Sequence, residues 1–173
     1  MASSILRAFI VYQHMAFLEK KLLVKKSKLP NAGKGLFTTV DIPKGKRIVE
    51  YKGTRTTWSE VEDDDGKNGY IFYITRNNVI DALPHKEALG RYANDARGMS
   101  KMEGVRNNAE YIIDKGRCYI DAMKDIAAGS EILVSYSADY WRTIKENIKL
   151  EASKKKKAQK KKVNGKKVKT KKK

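Results

Sequence analysis

This chain has little metal-binding or redox chemistry to offer. Its single cysteine, Cys118, excludes both an intramolecular disulfide framework and a cysteine-based zinc site. Set in RCYIDAM, it reads as a buried packing residue. The two histidines, His14 and His85, stand far apart without an H-x-x-x-H spacing, so a histidine metal site has no support. Asp63-Asp64-Asp65-Gly66 opens like a calcium loop, but Ile74 stands where the bidentate glutamate belongs if Asp63 is loop position 1. A solvated turn is the better reading, and no metal is expected.

Long apolar runs are missing as well. Near the N-terminus the longest, Ala8 to Tyr12, is too short for a secretory signal core, and nothing approaches a transmembrane length. The expected setting is intracellular, without a membrane: cytoplasmic, or nuclear or nucleoid-associated through a basic tail. Acid is absent before Glu19, which permits a transit-peptide reading of residues 1–21, with Met15 as an alternative start. This extension stays unassigned. Acid is absent again from 154–173, where 13 lysines account for most of the formal +18 and leave +5 for the rest. The folded part is thus mildly basic, and residues 153–173 read as a low-complexity, disordered Lys-rich tail. Residues 22–152 form the expected domain, long enough to bury a core.

Within that domain short strands alternate with turn signals. LLVKK (22–26) and GLFTT (35–39) flank a loop carrying Pro30, Asn31 and Gly33. The grammar Asp-Ile-x-x-Gly-x-x-Ile occurs at 41–48 and again at 125–132, the same turn used twice to launch a strand. A short helix is expected near Thr56 or Thr57, with Glu60 completing a capping box. YIFYIT (70–75) with VIDA (79–82), and YIID (111–114) with CYIDA (118–122), read as two hairpins. Residues 85–93 supply one or two helical turns, and 97–108 a polar loop. GSEILVSYSADYW (129–141) then gives a last strand through Ile132, Leu133 and Val134 that ends on Tyr136, before a helix from about Arg142 to Ala152. Mainly β with short helices is the fold class. Taken alone, Tyr136 reads as a core-strand tyrosine whose hydroxyl finds a partner.

Three patches change that reading: GKGLF at 33–37, GRYANDAR at 90–97 with NNAEY at 107–111, and EILVSYSADYW at 131–141. In order and spacing they resemble the SET domain of protein-lysine methyltransferases, over roughly residues 22–141. The resemblance implies small curved sheets with a pseudoknot that brings the NDA segment to the final strand. It implies S-adenosyl-L-methionine as cofactor, with the backbone of Lys34, Gly35 and Leu36 against it and Asn94 at its amino-acid end. A bulky residue at Gly35 would intrude on the ligand. Asp95 stands where the family has histidine and Asn107-Asn108 where it has Pro-Asn; a modest effect is expected of Asp95→His. Tyr136 matches the catalytic tyrosine, and the aromatic beyond it, packing near the adenine, would be Tyr140 or Trp141. Tyr70 and Tyr111 match channel walls, with strand packing as the competing reading. The family's cysteine cluster after the domain is missing, so the helix after 141 would complete the substrate channel.

The chemistry suits these residue types. Displacement at a sulfonium methyl needs a neutral amine from a lysine whose ordinary pKa is about 10.4, held in line, in a tyrosine-lined channel that grips its stem. The expected activity is methylation of lysine in a protein substrate, a basic or nucleic-acid-associated one. The competing class is a degenerate module that binds DNA, RNA or chromatin through residues 154–173, with Asp95 as the mark of lost cofactor binding.

Overall fold

The two copies of the Asp-Ile-x-x-Gly turn meet at the centre of the molecule. In the computed structural model, which describes residues 18–99 and 101–169 (side chains of the last helix to 157), Ile42 and Ile126 exchange backbone hydrogen bonds of 2.8 Å in both directions. Asp41 Oδ1 accepts from Ala128 N at 2.7 Å, and Asp125 Oδ1 accepts from Lys44 N at 2.8 Å. Gly45 and Gly129 take φ +78° and +79°, where a side chain would be strained. The turn chemistry is therefore one motif folded onto its own copy across a local two-fold relation.

Around this knot, among the described residues, stand three antiparallel sheets of three strands. One has the order β1 (Leu22–Lys26), β2 (Lys34–Thr38), β9 (Glu131–Ile132). Another runs β3 (Arg47–Glu50), β8 (Arg117–Ala122), β7 (Ala109–Asp114), and the third β4 (Thr54–Thr56), β6 (Asn78–Asp81), β5 (Ile71–Thr75). Leu36, Ile42, Ile48, Val49, Ile120, Ile126, Ile132 and Val134 make the main core. Ile42, Ile48, Val49, Ile126 and Ile132 come from the two turn motifs and the strands they launch, and Leu36 of β2 and Ile120 of β8 pack against them. Lys115 and Gly116, at φ +49° and +74°, make the two-residue turn between β7 and β8. The capping box forms as read: Thr57 caps the helix Trp58–Val61 and Thr57 N donates to Glu60 at 2.9 Å. Leu18 belongs to the folded part too, donating to Ile48 O at 2.9 Å. The transit-peptide reading and the Met15 start lie outside the described residues.

Three expectations shift. The last strand pairs only over Glu131–Ile132, because the chain then leaves β2 and threads a loop: Val134 N donates to Asn94 O at 2.8 Å, while Leu133 O accepts from Asn108 N and Ala109 N. Its backbone groups are satisfied by loop partners rather than by a ladder. The final helix spans Ala138–Lys169, starting four residues before the expected Arg142. Ser137, at φ +77°, breaks the chain direction and its Oγ accepts from Tyr140 N at 3.3 Å, so the cap sits there. The helix also runs on through residues 153–169, expected to be disordered from their charge. That stretch has no proline to stop it and is rich in lysine, a good helix former.

Candidate active site

The 3-10 turn Leu89–Tyr92 hands the chain to Ala93, Asn94 and Asp95, and this tripeptide organises everything nearby. Asp95, 4 % exposed, accepts four hydrogen bonds: from Arg97 N (2.7 Å) and Asn107 Nδ2 (2.9 Å) on Oδ1, and from Tyr136 N (2.9 Å) and Trp141 Nε1 (2.7 Å) on Oδ2. Burial alone would raise its carboxyl, but the bonds from Trp141, Tyr136, Asn107 and Arg97 hold it below the ordinary value of 3.8. All four lone-pair directions are used. Asp95 is therefore a scaffold that ties the Tyr136 segment and the final helix to the NDA loop.

Asn94 reaches the other way. Its Nδ2 donates to Lys34 O at 2.9 Å and to Glu131 Oε1 at 3.1 Å, which joins it to the G-x-G stretch. Glu131, buried, also accepts from Ser27 Oγ (2.6 Å) and Lys28 N (2.8 Å). A Cβ on Gly35 would collide with this carboxylate, so the immediate reason for glycine there is Glu131. Around Gly33, at φ +71°, the space is open. Leu36 is fully buried in the central strand, paired with Val24 on one side and Ile132 on the other.

Tyr136 lies where these threads cross. Its hydroxyl donates to Ala93 O at 2.6 Å, its ring stacks on Trp141 at 5.8 Å and 14°, and Tyr140 meets it edge-on at 5.2 Å. Burial, and after it the neighbouring Tyr51 and Tyr140, raises its phenol, so it stays protonated at neutral pH. Tyr111 is raised in the same way, by burial first and then by Tyr136 and Tyr51.

Two cavities flank the 135–137 segment. The larger, about 810 Å³, has Tyr51, Phe72, Tyr111, Tyr136 and Tyr140 in its walls, with Arg91 inside and Asp65 and Asp139 among its exposed residues. The smaller, about 470 Å³, is lined by Asp95, Trp141 and the basic residues Arg97, Arg142, Lys145 and Lys149. Ser135 and Ser137 belong to both. Of the residues singled out from the sequence, Tyr111, Tyr136 and Tyr140 share the larger cavity, and Asp95 and Trp141 line the smaller. Tyr70 is not a lining residue; its ring faces the Arg91 guanidinium at 3.8 Å. Lys34, Gly35, Leu36 and Asn94 line neither cavity and reach the site through the Asn94–Lys34 bond.

Sequence reasoning missed Glu131, Arg91, Tyr51 and Phe72. Glu131 carried a faint signal, a carboxylate two residues after the motif glycine, at the head of an apolar strand. Tyr51 and Phe72 carried none, since aromatics on short strands are ordinary core.

Comparison with known proteins bears on the same stretch. The SET domain family matches residues 33–137. The chain is 29 % identical over 133 residues to Histone-lysine N-methyltransferase EZH2 of Chaetomium thermophilum, covering 70 % of this chain and 8 % of that protein. It is 31 % identical over 121 residues to Histone-lysine N-methyltransferase set-17 of Caenorhabditis elegans, covering 68 % and 41 %. Among solved structures, the methyltransferase domain of human PR domain-containing protein 2 superposes with a TM-score of 0.51 at 26 % identity, over 68 % of this chain and 78 % of that one. The chain spans half or less of the length of the curated relatives it matches.

Proposed function

This chain belongs to the SET-domain family, and on that premise we propose that it is a protein-lysine N-methyltransferase using S-adenosyl-L-methionine. The observation that carries the reading is the pair of cavities meeting at Ser135 and Ser137 with Tyr136 between them. A two-substrate transfer needs two pockets that touch at one point, and both volumes fall in the range of ligand sites.

The residues present fit the methyl donor. The smaller cavity offers the face of Trp141 and two serine hydroxyls, and the open backbone at Gly33, next to the Asn94–Lys34 bond, leaves room for close approach. Trp141, the backbone around Asn94 and Asp95, and the Lys34 and Gly35 backbone would hold it. When bound, it supplies a methyl group on a sulfonium that a neutral amine displaces. The protein's part is alignment. The Tyr136 hydroxyl spends its proton on Ala93 O and keeps its lone pairs to accept from the amine, while Tyr111 and Tyr51 wall the lysine stem. A protonated phenol is no base, so Tyr136 orients rather than deprotonates.

The substrate class is a lysine in a basic or nucleic-acid-associated protein. Asp65 and Asp139 at the cavity, next to Glu62, Asp63 and Asp64, set an acidic rim on an otherwise basic chain. The nucleic-acid partner would lie along the last helix. Arg142, Lys145 and Lys149 share one cavity wall, and the exposed Lys154–Lys157 continue toward the lysine-rich end. Association with chromatin or a nucleoid follows from that surface. Among the described residues no helix is long and apolar enough to cross a membrane.

Labelled S-adenosylmethionine with a panel of basic proteins tests the reading, with methyl-lysine mapped by mass spectrometry. Tyr136→Phe should leave the fold and the calorimetric affinity for the methyl donor in place and lower transfer roughly a hundredfold. Unchanged turnover would remove Tyr136 from the mechanism. No donor binding by folded wild-type protein would favour the non-enzymatic module.

A further inference from the structure

One charge in the larger cavity has no ion-pair partner among the described residues. Arg91 is 8 % exposed, and its Nε and Nη1 are sealed from solvent without a hydrogen bond; among the described residues no other buried side-chain nitrogen or oxygen is in that state. Its compensation is aromatic: the Tyr70 ring at 3.8 Å and the Tyr92 ring at 5.4 Å. A guanidinium cannot shed its proton in a protein. The cavity therefore carries a fixed, poorly compensated positive charge at every working pH.

Such a charge is awkward for a pocket that takes a lysine as its ammonium, and useful for one that needs the amine. At neutral pH about one lysine in a thousand is neutral. The phenols of Tyr51, Tyr111 and Tyr136 are all pushed up by burial first, so none of them serves as a phenolate base. Asp95, buried behind Tyr136, has its charge taken up by four N–H donors, and Asp81 accepts from Asn68 and Leu83 N, whereas Arg91 has no such dipoles on Nε and Nη1; the other charged groups lie outside. Asp139 is exposed and paired with Arg142 at 2.8 Å, Glu87 is exposed beside His85 at 2.9 Å, and Asp65 and Arg76 are exposed. Water screens these, whereas a charge sealed from it acts at greater range. Resting on the lysine-methyltransferase reading, we propose that the buried Arg91 guanidinium makes a lysine entering the larger cavity give up its proton, to water, before methyl transfer. The acidic rim draws the lysine in as a cation, and the inner cation then favours the neutral amine over the ammonium.

Arg91→Gln tests this, with Arg91→Met, apolar and of similar length, as the second variant; thermal melts check that each folds. The first readout needs no methyl donor. n-Butylamine, the stem and amine of a lysine side chain, is labelled with ¹³C beside nitrogen and titrated by NMR in the bound state. The bound amine should titrate about one pH unit lower in the wild type than in either variant. The second readout is kcat/KM against pH on unfractionated core histones. Arg91→Gln should lose about tenfold near pH 7.5 and recover most of it above pH 9, a recovery that a merely structural defect would not give. Equal bound titration in wild type and variants overturns the proposal, as does a pH profile that drops without shifting. If both variants unfold, a wild-type bound amine titrating at or above its free value overturns it. Wild-type protein that shifts the amine yet methylates nothing would retire the methyltransferase reading and leave the Arg91 effect standing.

Discussion

Asp95 accepts four hydrogen bonds, and a histidine ring has at most one free acceptor nitrogen. The substitution that restores the family's residue is therefore a damaging one, where the sequence led to an expectation of a modest effect. Asp95→His should lower stability by about 3 kcal/mol, the scale of breaking a buried charged network, and Tyr136 and Trp141 should lose their fixed positions. Urea unfolding and tryptophan fluorescence read the two effects. The sign with pH follows from the depressed carboxyl. Its contribution is complete above the ordinary value of 3.8 and is lost as pH falls through the lower folded value. Wild-type unfolding midpoints should thus fall more steeply below pH 3.8 than those of Asp95→Asn, in which the titrating group is gone.

At the scale of elements, the repeated turn makes a prediction that neither copy would make alone. Asp41 and Asp125 each hold the backbone of the opposite copy, at 2.7 and 2.8 Å, and both bonds are exposed. Asp41→Ala and Asp125→Ala should each cost about 1 kcal/mol, with the double variant costing more than either. Chemical denaturation checks it, and a cost confined to one copy would mean the two-fold relation is geometric only. The final helix is tied down at its first turns, by Trp141 on Asp95 and Tyr136 and by Asn147 on Asp65 O at 3.3 Å. Described tertiary bonds stop there, and the lysine-rich half extends beyond them.

For the whole molecule this gives a division between a packed SET-domain body and a cationic arm. Deleting residues 154–173 removes 13 lysines while the core and both cavities keep their residues. The truncated protein should melt within about 2 °C of the full chain and methylate a short peptide at a similar rate. Its binding to DNA or RNA should lose most of its salt dependence, read as the slope of log affinity against log salt. Full nucleic-acid affinity after truncation would place the binding surface on the body instead.

What was legible in the sequence was local. Turn glycines, the capping box, two hairpins and the twice-used Asp-Ile-x-x-Gly motif are fixed by nearest-neighbour chemistry, and they suffice for the fold class. The reach of the last strand was not local, because Leu133 and Val134 bond to residues 94, 108 and 109 rather than to a ladder. The site is decided at that longer range. Glu131 earns its role only by meeting Ser27, Gly35 and Asn94, Asp95 by meeting Trp141, and Arg91 by being sealed against Tyr70. Sequence alone carries each residue's chemistry; burial and distant partners, which set charge, acidity and orientation, exist only once the chain has closed on itself.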